Sequence, residues 1–459
     1  MARGKKKESA LTPEEKLAQA LVPEEEQPYR VPENWCWTKI SNVAELLNGF
    51  AFKSQQYTDE GIRIIRIANV QDGYVEDDAP AFYPVESTKE IERYLLHAGD
   101  LLLSLTGNVG RAALLPASLL PAALNQRVAC LRNNGAINKK FLFYYLLRKE
   151  FQESCIKNSK GSAQLNMSTE WIKEQPLCIP PLAEQQRIVD RIEYLFSKLD
   201  EAKEKAQSVL DSFETRKAAI LHKAFTGELT AKWRVEHGVD EVWKISTVGD
   251  VCHEVKVGIV IKPSQYYTDV EHGTPAFRSA NVRENHIDDF DWVYLDRTGM
   301  ESNKRSIVHT GDVLVVRSGN PGTACVVSKK FDGYNAIDIL IAVPNQNLIT
   351  SDFLCCYTNS PFGKNLVSEN KRGMALTHFN VKGYSGLPIR IPKLVEQREI
   401  VRILDNLLAK EQRAKEAAEA VLEKIDLLKK SILARAFRGE LGTNDPTEES
   451  AVELLKAIL

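Results

Sequence analysis

With 459 residues, 43% apolar and 27% charged side chains, and 60 basic against 62 acidic groups, the chain has the composition of a soluble globular protein of two or three domains. A net charge of −2 excludes a uniformly basic nucleic-acid coat, so a polyanionic partner would have to be met by local positive charge. The opening stretch MARGKKKESALTPEEK lacks the apolar core of a secretory signal, and the most apolar run, Ala112–Leu124, is short and broken by prolines. Both features predict a cytoplasmic protein with no membrane span. The eight cysteines are scattered without C-x-x-C spacing and read as buried, reduced thiols.

Residues 1–30 are charged and proline-punctuated, an extension expected to dock on a partner or stay mobile. A first globular segment follows over 31–181. Within it Trp37–Val43 and Ile62–Val70 alternate as strands, and Leu101–Leu105 follows a Gly99-Asp100 turn. A helix is expected over Lys139–Phe151, with Phe141, Tyr144, Tyr145 and Leu147 on one side. A polar loop, Lys157–Ser168, comes next. At Pro180-Pro181 the chain can open a long helix cleanly, and 182–229 reads as one.

The order then repeats. A shift of 212 residues carries Pro180–Leu229 onto Pro392–Leu441 without an insertion, matching Glu184-Gln185 to Glu396-Gln397 and Ala224-Phe225 to Ala436-Phe437. The same shift matches Arg66–Val70 to Arg278–Val282, and the Gly107 and Gly110 turn to Gly319 and Gly322. Segment 230–393 is therefore a second copy of 31–181, 394–441 a second long helix, and 442–459 a tail.

Apolar residues in the first helix step by four and three: Ile188, Ile192, Leu195, Leu199, Ala202, Ala206, Val209, Phe213. The second gives Ile400, Leu404, Leu407, Glu411, Ala414, Ala418, Val421, Ile425, Leu428 and Ile432. An antiparallel pair is expected, with residues i and j facing where i + j is 627. That register sets Arg216 against Glu411, Leu199 against Leu428, and Phe213 against Ala414. The outer face, with Glu184, Gln185, Lys198, Glu201 and Lys205, is expected to seat partner proteins. Helices of roughly 45 residues span about 65 Å at about 1.5 Å per residue, more than one turn of DNA.

Signatures of catalysis are missing from the sequence. It has no phosphate-loop motif, and Gly107-Asn-Val-Gly110 runs from one apolar strand into another, as a turn does. It also lacks the [Asn/Asp]-Pro-Pro-aromatic mark of amino-methyltransferases.

The doubled W-x-x-[IV] strand, [RS]-x-A-N-V, G-D-[LV]-L, G-N-x-G, polar glycine loop, P-x-L-x-E-Q and A-F-x-G-E-L resemble the specificity subunit of type I restriction-modification systems over residues 31–441. The resemblance implies an α+β chain. Two α/β target recognition domains are joined by two long helices, which form an intramolecular antiparallel coiled coil with tandem pseudo-two-fold repeats. It implies a non-catalytic subunit that reads a bipartite site in double-stranded DNA and carries no cofactor. Two modification (methyltransferase) subunits would supply S-adenosylmethionine chemistry at adenine N6, and restriction subunits the ATP- and Mg-dependent cleavage. Two departures stand out: the longer N-terminal extension, and Lys393 where Pro181 stands in the first copy. A coiled-coil interaction scaffold, or the recognition subunit of a type II-like methyltransferase, are the alternatives.

Neither segment is basic as a whole. Val31–Pro181 holds 16 basic and 16 acidic residues, and Thr230–Lys393 holds 19 and 18. Positive charge gathers in the glycine loops, whose side chains suit base edges and phosphates. In the first these are Lys157, Lys160, Gly161, Ser162, Gln164 and Asn166. In the second they are Lys371, Arg372, Gly373, Thr377, His378 and Asn380. An ordinary solvated loop is the competing reading. Further candidates are Lys53, Gln55, Arg66, Asn69 and Arg111 in the first segment, with Lys256, Lys262, Arg278, Asn281, Arg283 and Arg317 in the second. For Asn69 and Asn281 a structural turn role weighs at least equally.

Overall fold

The structure is a computed structural model and describes residues 12–161, 165–239, 242–365 and 379–459. Two compact units emerge: one runs up to Lys205 and adds Ala420–Leu459, the other is Ala206–Glu419. Among the described residues no helix is long and apolar enough to cross a membrane. All eight cysteines are unpaired and seven are buried.

In the first unit an antiparallel sheet has the order Ala44–Asn48, Val128–Asn133, Leu101–Ser104, Ala112–Leu114. Leu101, Leu102 and Leu103 are wholly buried because the sheet is covered on both faces. Leu101 and Leu103 join the core under the helix Lys139–Leu146, while Leu102 turns to a separate cluster with Cys130 and Val128. A second, mixed sheet pairs Ile62–Ile65 in parallel with Ala122–Leu124. A two-stranded ribbon pairs Cys36–Lys39 with Pro176–Ile179.

The second unit repeats the scheme. Cys252–Val257, Ile339–Pro344, Val313–Val316 and Ala324–Val326 form the antiparallel sheet; Thr274–Phe277 runs parallel to Asn335–Ala336; and Lys244–Thr247 pairs with Pro388–Ile391.

Several local expectations are corrected. The alternating run Ile62–Val70 stops being a strand at Ile65, and Ile67–Asn69 is a 3₁₀ turn. Likewise Trp37–Val43 is a strand only to Lys39 and then a helical turn, Ile40–Val43. The helix expected over Lys139–Phe151 divides into Lys139–Leu146 and Lys149–Lys157. Between them Arg148 is extended and buried, its guanidinium 4.0 Å from the Tyr145 ring centre and 5.0 Å from that of Phe437. Stacking a cation on two rings favours that break over one more helical turn.

Of the N-terminal extension, residues 12–30 dock on the chain itself. A capping box between Thr12 and Glu15 starts the helix Pro13–Ala20, and Leu21 then bridges to Thr38 on the ribbon edge. The tail is also ordered: the helix Ala451–Ile458 buries Ala451 and Leu455 in the first unit's core.

The first long helix is two, Leu182–Asp211 and Phe213–Thr226, interrupted at Ser212, whose hydroxyl donates back to the Ser208 carbonyl at 2.6 Å. Such back-bonding competes with helix continuation. The second is a single helix, Leu394–Ala436. In the second unit Arg216 Nε donates to Glu411 at 2.7 Å, as the 627 register requires. In the first, Lys429 meets Asp200 at 2.6 Å, two residues off that sum.

Three of the ten positions of the second seam are corrected. Leu404, Ala418 and Ile425 are buried as expected, but Val421 and Leu428 are 39% and 47% exposed, and Ala414 is exposed too. Their places at the contact go to Lys415, over the Phe213 ring at 5.0 Å, and Lys429, over Phe196 at 5.1 Å. A lysine stem covers apolar surface as well as a short aliphatic does, and its ammonium gains the ring face.

Glu184 and Gln185 do not lie on an outer face, for both are fully buried. Gln185 donates to the carbonyls of Pro180 (3.0 Å) and Ala136 (3.1 Å) and accepts from the Asn138 amide (2.6 Å). Gln397 does the same for Pro392, Leu348 and the Thr350 amide. Each glutamine thus pins the start of its long helix to the cap of the helix beneath. Lys198, Glu201 and Lys205 remain exposed.

The repeat also produces opposite acid responses. Burial opposes ionisation of Asp100, yet Arg132 (2.7 Å) and the His97 amide more than offset it, and its pKa lies below the ordinary value. At Asp312 burial prevails over the His309 amide, and the pKa is raised. Asp100 therefore contributes stability above its unfolded pKa of about 4, and the contribution disappears as pH falls through the lowered value. Ionised Asp312 weakens the fold at neutral pH and ceases to do so as acid protonates it. In urea titrations from pH 7 to 3, Asp100→Asn should be destabilising at pH 7 and converge on wild type in acid. Asp312→Asn should be neutral or stabilising at pH 7, with the same convergence. Parallel pH profiles for the two variants would contradict the assignment.

Candidate nucleic-acid interface

At one end of each antiparallel sheet, loops from distant parts of the chain converge. In the first unit Phe50 bridges to Asn125, and the Gln126 amide donates back to the Phe50 carbonyl at 2.9 Å. The approach is close enough that a Cβ on Gly49 would lie 2.2 Å from the Asn125 carbonyl oxygen, so only glycine fits. The Leu105 amide donates to the Arg127 carbonyl (3.0 Å), and the Thr106 hydroxyl to Asn166 (3.0 Å). Lys160 and Asn166 exchange backbone hydrogen bonds, which folds the polar glycine loop onto the same sheet end. The Gly161 backbone there has φ of 121°.

The second unit builds this end with the same bonds. Ile259 bridges to Ile337, a Cβ on Gly258 would lie 2.2 Å from the Ala336 carbonyl oxygen, and the Phe379 amide donates to the Arg317 carbonyl where that of Met167 donates to Leu105. Ser318, Asp338 and Phe379 thus stand where Thr106, Gln126 and Met167 stand.

The predicted residues divide sharply. Lys53, Gln55, Lys157, Lys160 and Asn166 are exposed at or beside the first unit's sheet end, and Lys262 at the second's. None of these four lysines forms an ion pair among the described residues.

Others are committed to the fold. Asn69 and Asn281 are buried; each accepts the amide of the arginine three residues before it and donates to backbone carbonyls, leaving no edge for a base. Arg66 closes on the Ala79 carbonyl, and Arg278 on the Asp291 carbonyl and carboxylate. Arg111 is held by Gln71, Arg283 pairs with Asp288 at 2.8 Å, and the half-buried Lys256 faces Glu254 at 4.0 Å.

Arg317 donates to Asp338 (2.7 Å) and to the Phe379 carbonyl (2.9 Å), spending its guanidinium on holding two loops together. Asn380 caps the helix Val381–Ser385 through the Gly383 amide. Ser162, Gln164, Lys371, Arg372, Gly373, Thr377 and His378 lie outside the described residues.

Gln126 and Arg127 were missed by the sequence reading. Both are exposed at the convergence point, and Arg127 has no ion pair among the described residues. The signal was available: Asn125-Gln126-Arg127 is a polar triplet between two strands buried on both faces, Ala122–Leu124 and Val128–Asn133. In the second unit the exposed Asn320, Val260 and Ile261 share this end with Lys262.

The family model described as the type I restriction modification DNA specificity domain matches the chain twice, over residues 32–210 and 240–424. The chain belongs to this type I specificity family. Curated relatives include the EcoBI specificity subunit of Escherichia coli, 26% identical over 435 residues with 90% of this chain and 87% of the relative covered. The EcoKI specificity subunit of E. coli strain K12 is 26% identical over 432 residues, covering 90% of each. A solved HsdS subunit from Thermoanaerobacter tengcongensis shares the fold with a TM-score of 0.65 at 21% identity, over 91% of this chain and all of that one. The family match coincides with the two repeats, so each specificity domain contains one of the sheet ends described above.

Proposed function

We propose that this chain is the DNA-recognition subunit of a type I restriction-modification complex, in which each unit reads one half of a bipartite, asymmetric site. The observation carrying the proposal is the pair of sheet ends: the framework bonds recur, whereas the side chains offered differ. The first end presents Gln126, Arg127 and Lys160, and the second presents Lys262 and Asn320 beside an arginine locked to Asp338. Donors and acceptors of this kind read base edges and hold phosphates, and different sets select different bases.

The long helices set the unread gap between half-sites and seat two methyltransferase subunits. Those subunits bring S-adenosylmethionine, and restriction subunits bring ATP and Mg. This chain's part is recognition.

The test is an exchange of residues 31–181 for the corresponding segment of a relative, followed by single-molecule sequencing of methylated adenines. One half of the methylated site should change and the other persist. Change in both halves would refute the two-head reading.

A further inference from the structure

The two ribbons are equivalent, but among the described residues only one has its outer edge covered. Tyr145 and Tyr357 hold matching places: each hydroxyl donates to the carbonyl of the ribbon proline, Pro176 or Pro388, and each ring stands 5.4 Å from a phenylalanine at a helix end, Phe437 or Phe225. The registers Lys39 to Pro176 and Thr247 to Pro388 then make Trp37 equivalent to Ile245.

In the first unit the extension closes this edge. The Val22 amide donates to the Trp37 carbonyl at 2.9 Å, and the Tyr29 ring packs edge-on against Trp37 with centroids 5.0 Å apart. The Tyr29 hydroxyl accepts from Arg148 at 2.7 Å, and Trp37 is left 2% exposed. The covering segment, Leu21–Arg30, reads LVPEEEQPYR: two aliphatics, three glutamates and one tyrosine.

In the second unit nothing among the described residues pairs with the outer edge of Lys244–Thr247. Ile245 is 79% exposed and Val242 86%. Beside them opens a cleft of about 330 Å³ whose walls include Phe225, Tyr357, Phe362 and Pro388. Arg390 stands exposed at this cleft without an ion pair among the described residues. An unpaired strand edge beside an aromatic cleft is the arrangement that accepts an added strand: backbone bonds supply affinity, and the cleft selects the side chain.

We infer that the edge of Lys244–Thr247 is a docking site for an extended segment of the methyltransferase subunit. That segment adds a strand along Ile245, places an aromatic ring against Phe225 and Tyr357, and sets a carboxylate against Arg390. Its occupant takes the place that Leu21–Tyr29 takes in the first unit. The two units then differ in what they offer a partner, one edge being closed by the chain's own extension. The inference rests on the functional reading above, which supplies the partner's identity.

The test uses the full chain co-expressed with the methyltransferase subunit of its system, with Ile245→p-benzoylphenylalanine for photo-crosslinking and mass spectrometry of the products. A crosslink to an extended, aromatic- and acid-bearing segment of the methyltransferase subunit is expected. Ile245→Asp and Arg390→Glu, both at exposed positions, should each lower retention of that subunit by roughly tenfold, the effect of losing an interface anchor. Full retention by both variants, co-purification without a crosslink, or a crosslink only to a second copy of this chain would each overturn the docking site while leaving the functional reading in place. Failure of any methyltransferase subunit to co-purify with the unaltered chain would remove both.

Discussion

Glu396→Ala is expected to lower the stability of the second unit by about 3–5 kcal/mol, the cost of stripping one partner from a buried ion pair. Glu396 lies at the start of the second long helix with its side chain 1% exposed. It accepts from Arg234 Nη1 at 2.7 Å and from the wholly buried Thr230 hydroxyl at 2.7 Å. Alanine would leave a guanidinium that is only 9% exposed without its counter-charge.

The repeat supplies the control. Glu184, in the same place in the first unit, accepts from two neutral donors, Trp35 Nε1 at 2.8 Å and the Thr443 hydroxyl at 3.3 Å. Burial outweighs those donors and raises its carboxyl pKa, so its ionised form is already disfavoured. Glu184→Ala should therefore cost less, about 1–3 kcal/mol for the buried Trp35 donor and the half-buried Thr443 hydroxyl left without an acceptor. The joint change of Arg234→Met with Glu396→Leu should recover much of the loss, because an apolar pair of similar volume needs no desolvation. Urea titrations of the four proteins would read this ordering. A Glu396→Ala cost no larger than that of Glu184→Ala would show that Arg234 finds another partner or water.

These buried pairs also mark the limit of sequence reading. Residue matches at a 212-residue shift found the duplication, and periodicity found the long helical segments and the Arg216–Glu411 contact, because a helix seam is written in the spacing of its apolar residues. It assigned Glu184 and Gln185 to the surface, as polarity alone suggests, although a polar pair recurring 212 residues later was itself a sign of a fixed internal bond set. Polarity misled again where Lys415 and Lys429 displaced Ala414 and Leu428, since a long cation can bury its stem against a ring.

In the first unit Lys160 and Asn166, the described ends of the polar glycine loop that composition singled out, stand at the sheet end. Which arginines are free was not: Arg66, Arg278 and Arg317 are spent on partners 13 to 62 residues away in sequence, and only tertiary contacts reveal that. Gln126 and Arg127 were overlooked because a three-residue polar interruption carries no periodicity.

Arg127→Ala is accordingly the variant expected to change recognition most among the described residues. Its guanidinium is exposed at the convergence of three loops and is not tied to a carboxylate, so nothing need be broken for it to reach a base edge. Loss of a bidentate base contact costs about 1–3 kcal/mol at the cognate site and relaxes specificity at one position of one half-site. Lys53→Ala should behave differently. A compact ammonium on an exposed loop acts on phosphates, so its loss should weaken binding evenly across sequences and reduce the salt slope by about one.

Arg317 gives the contrast within the second unit. Its ion pair with Asp338 and its bond to the Phe379 carbonyl hold the loop in place, so Arg317→Ala should impair binding by loosening that loop, with no single base released from selection. Binding of the assembled complex to a panel of single-base variants at two salt concentrations separates the three behaviours. Equal weakening on every sequence for Arg127→Ala would move that residue from base reading to phosphate holding, and would return direct readout in the first unit to the glycine loop around Gln164.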